Sequence, residues 1–297
     1  MGASTSTAVT GRAGRVLASP RARRAIAKFG LNARSLRGSG PGGRIVEADA
    51  LAAATTNRAG SAPTGVPVAS LGGGVSIMRR SIAQRTAESF VTIPHFYLRA
   101  EVDITDLVAL RAQWLEEIES RHGVRITITD FLLRAQALAL REFPAANAVW
   151  QHNNLARYAN ADVGVVVGLP DGLLIPVLRR ADLLTLVELA RERTRLVDLC
   201  RSGKVSSEQM QGGASSLSNL GPTRADEFAA VIAPHQSSML AVGRAAPRPY
   251  VVNGAPAVRT TMRLCLSMDH RVLDGAPAAE FLGLIVQRLE QPRSLLT

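Results

Sequence analysis

An α+β domain with a mixed sheet, preceded by a small helical domain, is the fold this 297-residue sequence predicts. Two observations carry the prediction. From residue 76 onward, helical and strand periodicities mix without a strict βαβ rhythm, which favours an α+β sheet over a doubly wound one. Before that point the composition differs. Residues 1–75 hold ten Lys and Arg against two acids, Glu47 and Asp49, so +8 of the formal +11 sits in the first quarter of the chain.

Residues 1–14 are small and polar and read as a flexible tail. Met1-Gly2 with Ser6 fits a myristoylation pattern, but that pattern is short and common. Residues 15–55 read as a compact helical domain. Ser19-Pro20 is an N-cap followed by proline at the first helical position, with Ala22, Ala25, Ile26 and Phe29 at helical spacing and Gly30 as the stop. After the glycine-rich loop Gly38–Gly43, a second helix is expected from Val46 to Ala54. Residues 56–75 are rich in Thr, Gly, Ala, Ser and Pro and read as a linker.

In residues 76–297 we expect helices over Met78–Ser89, Leu107–Glu117, Phe131–Arg141, Leu184–Leu199 and Ala276–Leu289. Thr129 or Asp130 is the expected N-cap of the third, which is apolar on most faces and should be buried. Strands are expected over His95–Val102, Ser215–Leu220, Ser238–Val242 and Thr260–Leu266. Val163–Val167 and Leu173–Val177 flank Pro170-Asp171-Gly172, a hairpin signal.

Several classes of function are disfavoured. No apolar run reaches the roughly 18 residues of a membrane span. The start lacks the apolar segment of a secretory signal, so a cytoplasmic protein is expected. Two cysteines, Cys200 and Cys265, make no disulfide framework, and no histidine pair has metal spacing, so no metal is expected. Basic arms often bind nucleic acid, but Phe29 is the only aromatic residue in 1–75, which argues against base stacking. The loop Gly38–Gly43 matches GxGxxG only as a string, because a short helix rather than a strand precedes it.

Of five histidines, His95, His122, His152 and His235 have structural or solvated readings; His95 simply opens a strand after a proline. His270 differs. It lies in Asp269-His270-Arg271-Val272-Leu273-Asp274-Gly275, between an apolar strand and a helix. A neutral imidazole there can take a proton from a thiol or hydroxyl near neutral pH. Asp274 can fix the local geometry or pair with an arginine. The second constellation is Gly212–Gly221, where small residues and hydroxyls let a ligand approach the backbone. Ser216, Asn219 and Gly221 are its candidate substrate contacts, and a serine in such a strand can donate to a developing oxyanion.

Together these strings resemble the dihydrolipoamide acyltransferases of 2-oxoacid dehydrogenase complexes. Asp269-His270-Arg271 with Asp274-Gly275-Ala276 is similar to that family's DHRxxDGA pattern, and Gly212–Gly221 to its GGTFTISNLG strand. Ile93-Pro94-His95-Phe96-Tyr97 and Asp226-Glu227-Phe228 fit further stretches. Residues 16–54 resemble the peripheral subunit-binding domain. The resemblance implies a chloramphenicol-acetyltransferase-like fold, a homotrimer or multiple of trimers, and acetyl-CoA as co-substrate. It makes His270 the general base, and Ser218 the oxyanion donor from a neighbouring subunit. It makes Asp274 a structural acid bound to an arginine such as Arg79 or Arg80. It also implies an acidic protein partner for the basic face of residues 15–55, with Arg21, Arg24 and Arg44 as candidate contacts.

Two departures stand out. The sequence holds only two lysines, Lys28 and Lys204, and neither sits in the Asp-Lys hairpin turn of a lipoyl domain, so no covalent lipoate is expected here. Pro222-Thr223-Arg224-Ala225 replaces the usual apolar Met-Phe-Gly-Ile. Both favour a stand-alone acyltransferase with a small or carrier-bound alcohol as acceptor, similar to the acetyltransferases of tetronate polyketide biosynthesis. The alternative is a dihydrolipoamide acyltransferase component served by a lipoyl domain in trans. A non-enzymatic trimeric scaffold is the third reading.

Overall fold

The structure is a computed structural model and describes residues 16–60, the backbone alone from 55, and residues 75–296. The predicted tail over 1–14 and most of the predicted linker lie outside the described residues. The chain divides into two compact units, Met1–Gly74 and Val75–Thr297.

The first unit is built on α1 (Pro20–Lys28) and α2 (Glu47–Gly60). Ser19 caps α1, its hydroxyl accepting from the Ala22 N–H at 3.1 Å. Ala22, Ala25, Ile45 and Ala50 form a small buried core. The loop between the helices folds back on itself, with Gly40 N–H donating to the Arg44 carbonyl at 2.9 Å. A Cβ on Gly38 would sit 2.4 Å from the Gly43 carbonyl oxygen, so the loop closes only around glycine. The second helix runs past its expected end at Ala54 to Gly60, because no Gly or Pro interrupts Glu47–Ala59. The first positions of the expected linker are therefore helical.

Asp49 holds this loop to α2. Its carboxylate accepts from the Ser39 N–H (2.9 Å), the Ser39 hydroxyl (2.7 Å) and the Val46 N–H (2.9 Å). These bonds, the Ser39 backbone donor foremost, hold the carboxyl below the ordinary aspartate range. A lowered folded-state pKa stabilises the fold above the unfolded value of about 3.9 and stops doing so as pH falls through the folded value. Asp49→Asn should therefore loosen the loop at neutral pH and remove that part of its acid sensitivity. Exchange of the Ser39 and Val46 amides against pH measures this.

The second unit begins with α3 (Ile77–Thr92), β1 (His95–Asp103), α4 (Thr105–His122) and α5 (Ile128–Glu142). Strands β2 (Ala148–Gln151) to β7 (Val177–Leu178) come next, then α6 (Leu186–Arg201), β8 (Ser215–Asn219) and β9 (Ser238–Val242). It closes with β10 (Ala246–Val252), β11 (Ala255–Asp269) and α7 (Gly275–Glu290). The main sheet has the order β1-β11-β9-β8-β4-β7, where β4 is Val163–Val165, with β10 also paired to β11. β8 runs parallel to both β4 and β9, and the other pairs are antiparallel, so the sheet is mixed as predicted. α5 is buried from Asp130 to Leu140 and packs beside α6 and α7.

Three details differ from expectation. The N-cap of α5 is Thr127, not Thr129 or Asp130. Asp130 occupies the third helical position and accepts from both the N–H and the hydroxyl of Thr127 at 2.7 Å. The Pro170–Gly172 hairpin splits in two: β5 (Val167–Leu169) pairs β6 (Gly172–Leu174) in its own ribbon, while β4 pairs β7 in the main sheet. The hairpin β2–β3 (Asn154–Arg157 for β3) was not predicted; its turn places His152 and Asn153 at positive φ.

Candidate active site

His270 stands at the end of β11, the long strand flanked by β1 and β9. The turn that presents it is rigid. Asp269 is fully buried and takes Arg271 in a two-pronged contact, Nε to Oδ1 at 2.9 Å and a terminal nitrogen to Oδ2 at 2.7 Å. The His270 N–H donates to the Pro94 carbonyl at 3.0 Å. Its ring rests on Phe96, centroids 4.5 Å apart, and stays about half exposed. Nδ1 lies 3.5 Å from Asp274 Oδ1, and Nε2 makes no hydrogen bond among the described residues. An imidazole with one nitrogen toward a carboxylate and the other open is arranged to exchange a proton with a ligand.

Asp274 corrects one expectation. Within this chain its partner is His270, not an arginine. Arg79 and Arg80 are exposed in the first turn of α3 and form no ion pair among the described residues.

The two halves of the serine strand β8 differ. The first half is internal. Ser215 accepts from Gln136 Nε2 (2.7 Å) and from the Ser238 hydroxyl (2.6 Å). Ser216 is fully buried and donates to Gln236 Oε1 at 2.5 Å. A Cβ on Gly164 of β4 would lie 2.1 Å from the Ser216 hydroxyl oxygen, so Gly164 makes the room Ser216 occupies. Ser216, expected to face a ligand, is thus committed to the interior. Ser218 is half-buried and its hydroxyl makes no hydrogen bond among the described residues. Asn219 fixes the turn that leaves the strand: its Nδ2 donates to Thr129 Oγ1 at 3.0 Å and its Oδ1 accepts from the Gly221 N–H at 2.7 Å. Gln136 and Gln236 were missed in the sequence; Gln136 had a signal, as a polar residue inside the apolar stretch Phe131–Leu140.

Ser218 and His270 do not meet within one chain. Ser218 is opposite Ala241, and Ala241 opposite Cys265, five residues short of His270. At about 3.3 Å per residue that is roughly 17 Å along the strands. In the first unit, Arg21, Arg24 and Arg44 are all exposed and form no ion pairs among the described residues. Among the described residues no group of three or more His, Cys, Asp or Glu is placed to hold a metal, and no helix is long and apolar enough to cross a membrane.

A family profile described as 2-oxoacid dehydrogenases acyltransferase (catalytic domain) matches residues 74–297. The chain belongs to this family. A second profile, the e3 binding domain, matches residues 16–51. The chain therefore carries an acyltransferase catalytic domain, and its α+β, mixed-sheet fold agrees with its relatives. It is 37% identical to a dihydrolipoyllysine-residue acetyltransferase component of the pyruvate dehydrogenase complex from Zymomonas mobilis, over 96% of this chain and 67% of that protein. It is 35% identical to the corresponding component of an acetoin cleaving system from Bacillus subtilis, over 95% and 71%. Among solved structures, a probable dihydrolipoamide acetyltransferase from Listeria monocytogenes superposes with a TM-score of 0.71 at 32% identity, covering 73% of this chain and 93% of that one. The Azotobacter vinelandii dihydrolipoamide acetyltransferase gives 0.71 at 31%, covering 74% and 91%. These relatives are named as dihydrolipoyllysine-residue or dihydrolipoamide acetyltransferases, and the tetronate polyketide resemblance gains no support from them.

Proposed function

We propose that this acyltransferase moves an acetyl group between CoA and a dihydrolipoyl group as a component of a 2-oxoacid dehydrogenase complex, and that active sites form between subunits of a trimer. The observation that carries the reading is joint coverage. Relatives matched over about 95% of this chain, including the stretch that fits an e3 binding domain, are named dihydrolipoyllysine-residue acetyltransferases. In this reading the lipoyl group is carried outside this sequence, which is supported by Lys28 ending α1 and Lys204 lying just after α6, neither in a hairpin turn.

The Azotobacter structure is described as an investigation of a serine, a histidine and an asparagine in its catalytic mechanism, the histidine 52 positions after the serine and the asparagine four further on. Ser218, His270 and Asp274 have the same spacing. Asp274, facing Nδ1, leaves Nε2 of His270 as the base. Nε2 takes the thiol proton, the thiolate attacks the thioester carbonyl, and a tetrahedral oxyanion forms. Collapse breaks the C–S bond to CoA, and His270 returns the proton to the departing thiolate. Ser218 donates to the oxyanion. We place the serine in a neighbouring subunit, a reading supported by the separation of about 17 Å along the strands between the two residues in one chain. A related solved structure, TM-score 0.71 at 32% identity and covering 74% of this chain and 91% of that one, is described as the cubic core of a pyruvate dehydrogenase complex, which supports assembly from repeated subunits. Removing one oxyanion donor costs about 10²–10³-fold in kcat, so Ser218→Ala should fall in that range with KM for acetyl-CoA unchanged.

Arg21, Arg24 and Arg44, exposed and without ion pairs among the described residues, fit an acidic partner surface, with charge complementarity speeding association. One observation favours the alcohol acceptor: Arg224 is exposed in the turn Pro222–Ala225, where the family pattern is apolar. CoA release from acetyl-CoA, measured with dihydrolipoamide and with a hydroxymethyl-tetronate, separates the two. Turnover with dihydrolipoamide is expected; turnover with the alcohol alone would sink the dehydrogenase-complex reading.

A further inference from the structure

We propose that His95 is a positioning residue for this active site, a neutral imidazole fixed in one tautomer that ties residues 227–233 to the segment holding His270. The proposal rests on His270 being the base. His95 opens β1 and lies half-buried between Phe90 of α3 and Tyr97, with ring centroids 5.7 and 6.2 Å away. Its two ring nitrogens have opposite roles that their partners dictate. Nδ1 is 2.8 Å from the Ile93 carbonyl oxygen, which only accepts, so Nδ1 carries the proton. Nε2 receives the Ile232 backbone N–H at 3.0 Å, which only donates, so Nε2 is bare. A single neutral tautomer satisfies both.

Residues 227–233 run beside the sheet as neither helix nor strand, so their backbone groups need partners from elsewhere. Side chains supply them. The Ser267 hydroxyl donates to the Ala230 carbonyl at 2.6 Å, and the Ser89 hydroxyl to the Ile232 carbonyl at 2.6 Å. His95 takes the Ile232 N–H. Ile232 itself is buried with Ile93 and Met239, and Gln236, a few residues on, holds Ser216. On its other side His95 is flanked by the two groups that fix the base: the Pro94 carbonyl accepts the His270 N–H, and the Phe96 ring supports the His270 ring. Four consecutive residues, Ile93 to Phe96, thus join the irregular segment to the catalytic histidine. Losing the His95 bond frees the segment and lets Pro94 and Phe96 shift; a misplacement of about 1 Å is enough to cost about 10²-fold in rate.

The test uses the full chain with His95→Ala, His95→Gln and His95→Asn. Glutamine carries an amide oxygen as many bonds from Cβ as Nε2 and can accept from Ile232. Asparagine places an amide only where Nδ1 stands and cannot. Two readouts are taken: kcat and KM with acetyl-CoA and dihydrolipoamide, and hydrogen exchange at the Ile232 amide. The Gln variant should keep both near wild type. The Ala and Asn variants should lose Ile232 protection and about 10²-fold in kcat, with KM for acetyl-CoA unchanged. His270→Ala should lose turnover yet keep Ile232 protected, which separates failure of the base assignment from failure of this proposal. Full kcat in His95→Ala, or an Ile232 amide that stays protected in it, overturns the proposal. If the Ala variant does not assemble, equal kcat in the Gln and Asn variants overturns it.

Discussion

Replacing His270 with alanine lowers kcat by about 10²–10⁴-fold, the span expected when a general base is lost, while acetyl-CoA binding persists. The His270 Nε2 makes no hydrogen bond among the described residues, while its backbone is bonded to Pro94 and its ring is seated on Phe96, so the imidazole is held in place with a ring nitrogen free to take a proton. Asp274 should matter less. Its side chain is 85% exposed and its contact to Nδ1 is long at 3.5 Å, so Asp274→Asn should cost about fivefold or less, the scale of an exposed ion pair. Steady-state assays of both variants against acetyl-CoA and dihydrolipoamide measure the difference. Equal losses would mean that the carboxylate does more than orient the ring.

Replacing Asp130 with alanine destabilises the second unit by about 3–5 kcal/mol, because it leaves a cation without its buried counter-charge. The Asp130 side chain is fully buried and Arg193, only 15% exposed, reaches it from α6 through Nε at 2.6 Å and a terminal nitrogen at 3.2 Å. The same carboxylate organises the start of α5 through Thr127. Thr129, in that first turn, accepts from Asn219 at the end of the serine strand. The variant should therefore disturb the Ser218 loop as well as the core. Denaturant unfolding gives the loss in stability, and Arg193→Met added to Asp130→Ala should restore much of it, since the stranded charge is then gone.

The sequence was legible where local chemistry decides structure. Ser19-Pro20 marked the start of α1, and the apolar stretch Phe131–Leu140 marked a buried helix. His270 was legible because the strand before it and the helix after it both have clear periodicity. Other features depend on groups far away in the chain. Ser216 and Ser218 alternate to the same face of β8, so spacing cannot tell them apart; coverage by Gln236 and Gly164 buries one and spares the other. β10 was unreadable because Pro247 and Pro249 interrupt it, yet they fall on a strand that pairs, among the described residues, with β11 alone. β11 doubled its expected length for a related reason, since β10 and β1 pair with different parts of it. His95 looked inert because its partner Ile232 is 137 positions away.

The most direct test of a shared active site mixes two inactive proteins. His270→Ala and Ser218→Ala subunits, unfolded together and reassembled in equal amounts, are assayed with acetyl-CoA and dihydrolipoamide. If each site takes its histidine from one subunit and its serine from the next, one interface in each mixed cyclic trimer holds both intact residues, which is about one quarter of all interfaces after random reassembly. Activity should then rise to about one quarter of wild type. Activity no higher than the average of the two separate variants, in trimers shown to be mixed, would contradict a shared site built on His270 and Ser218.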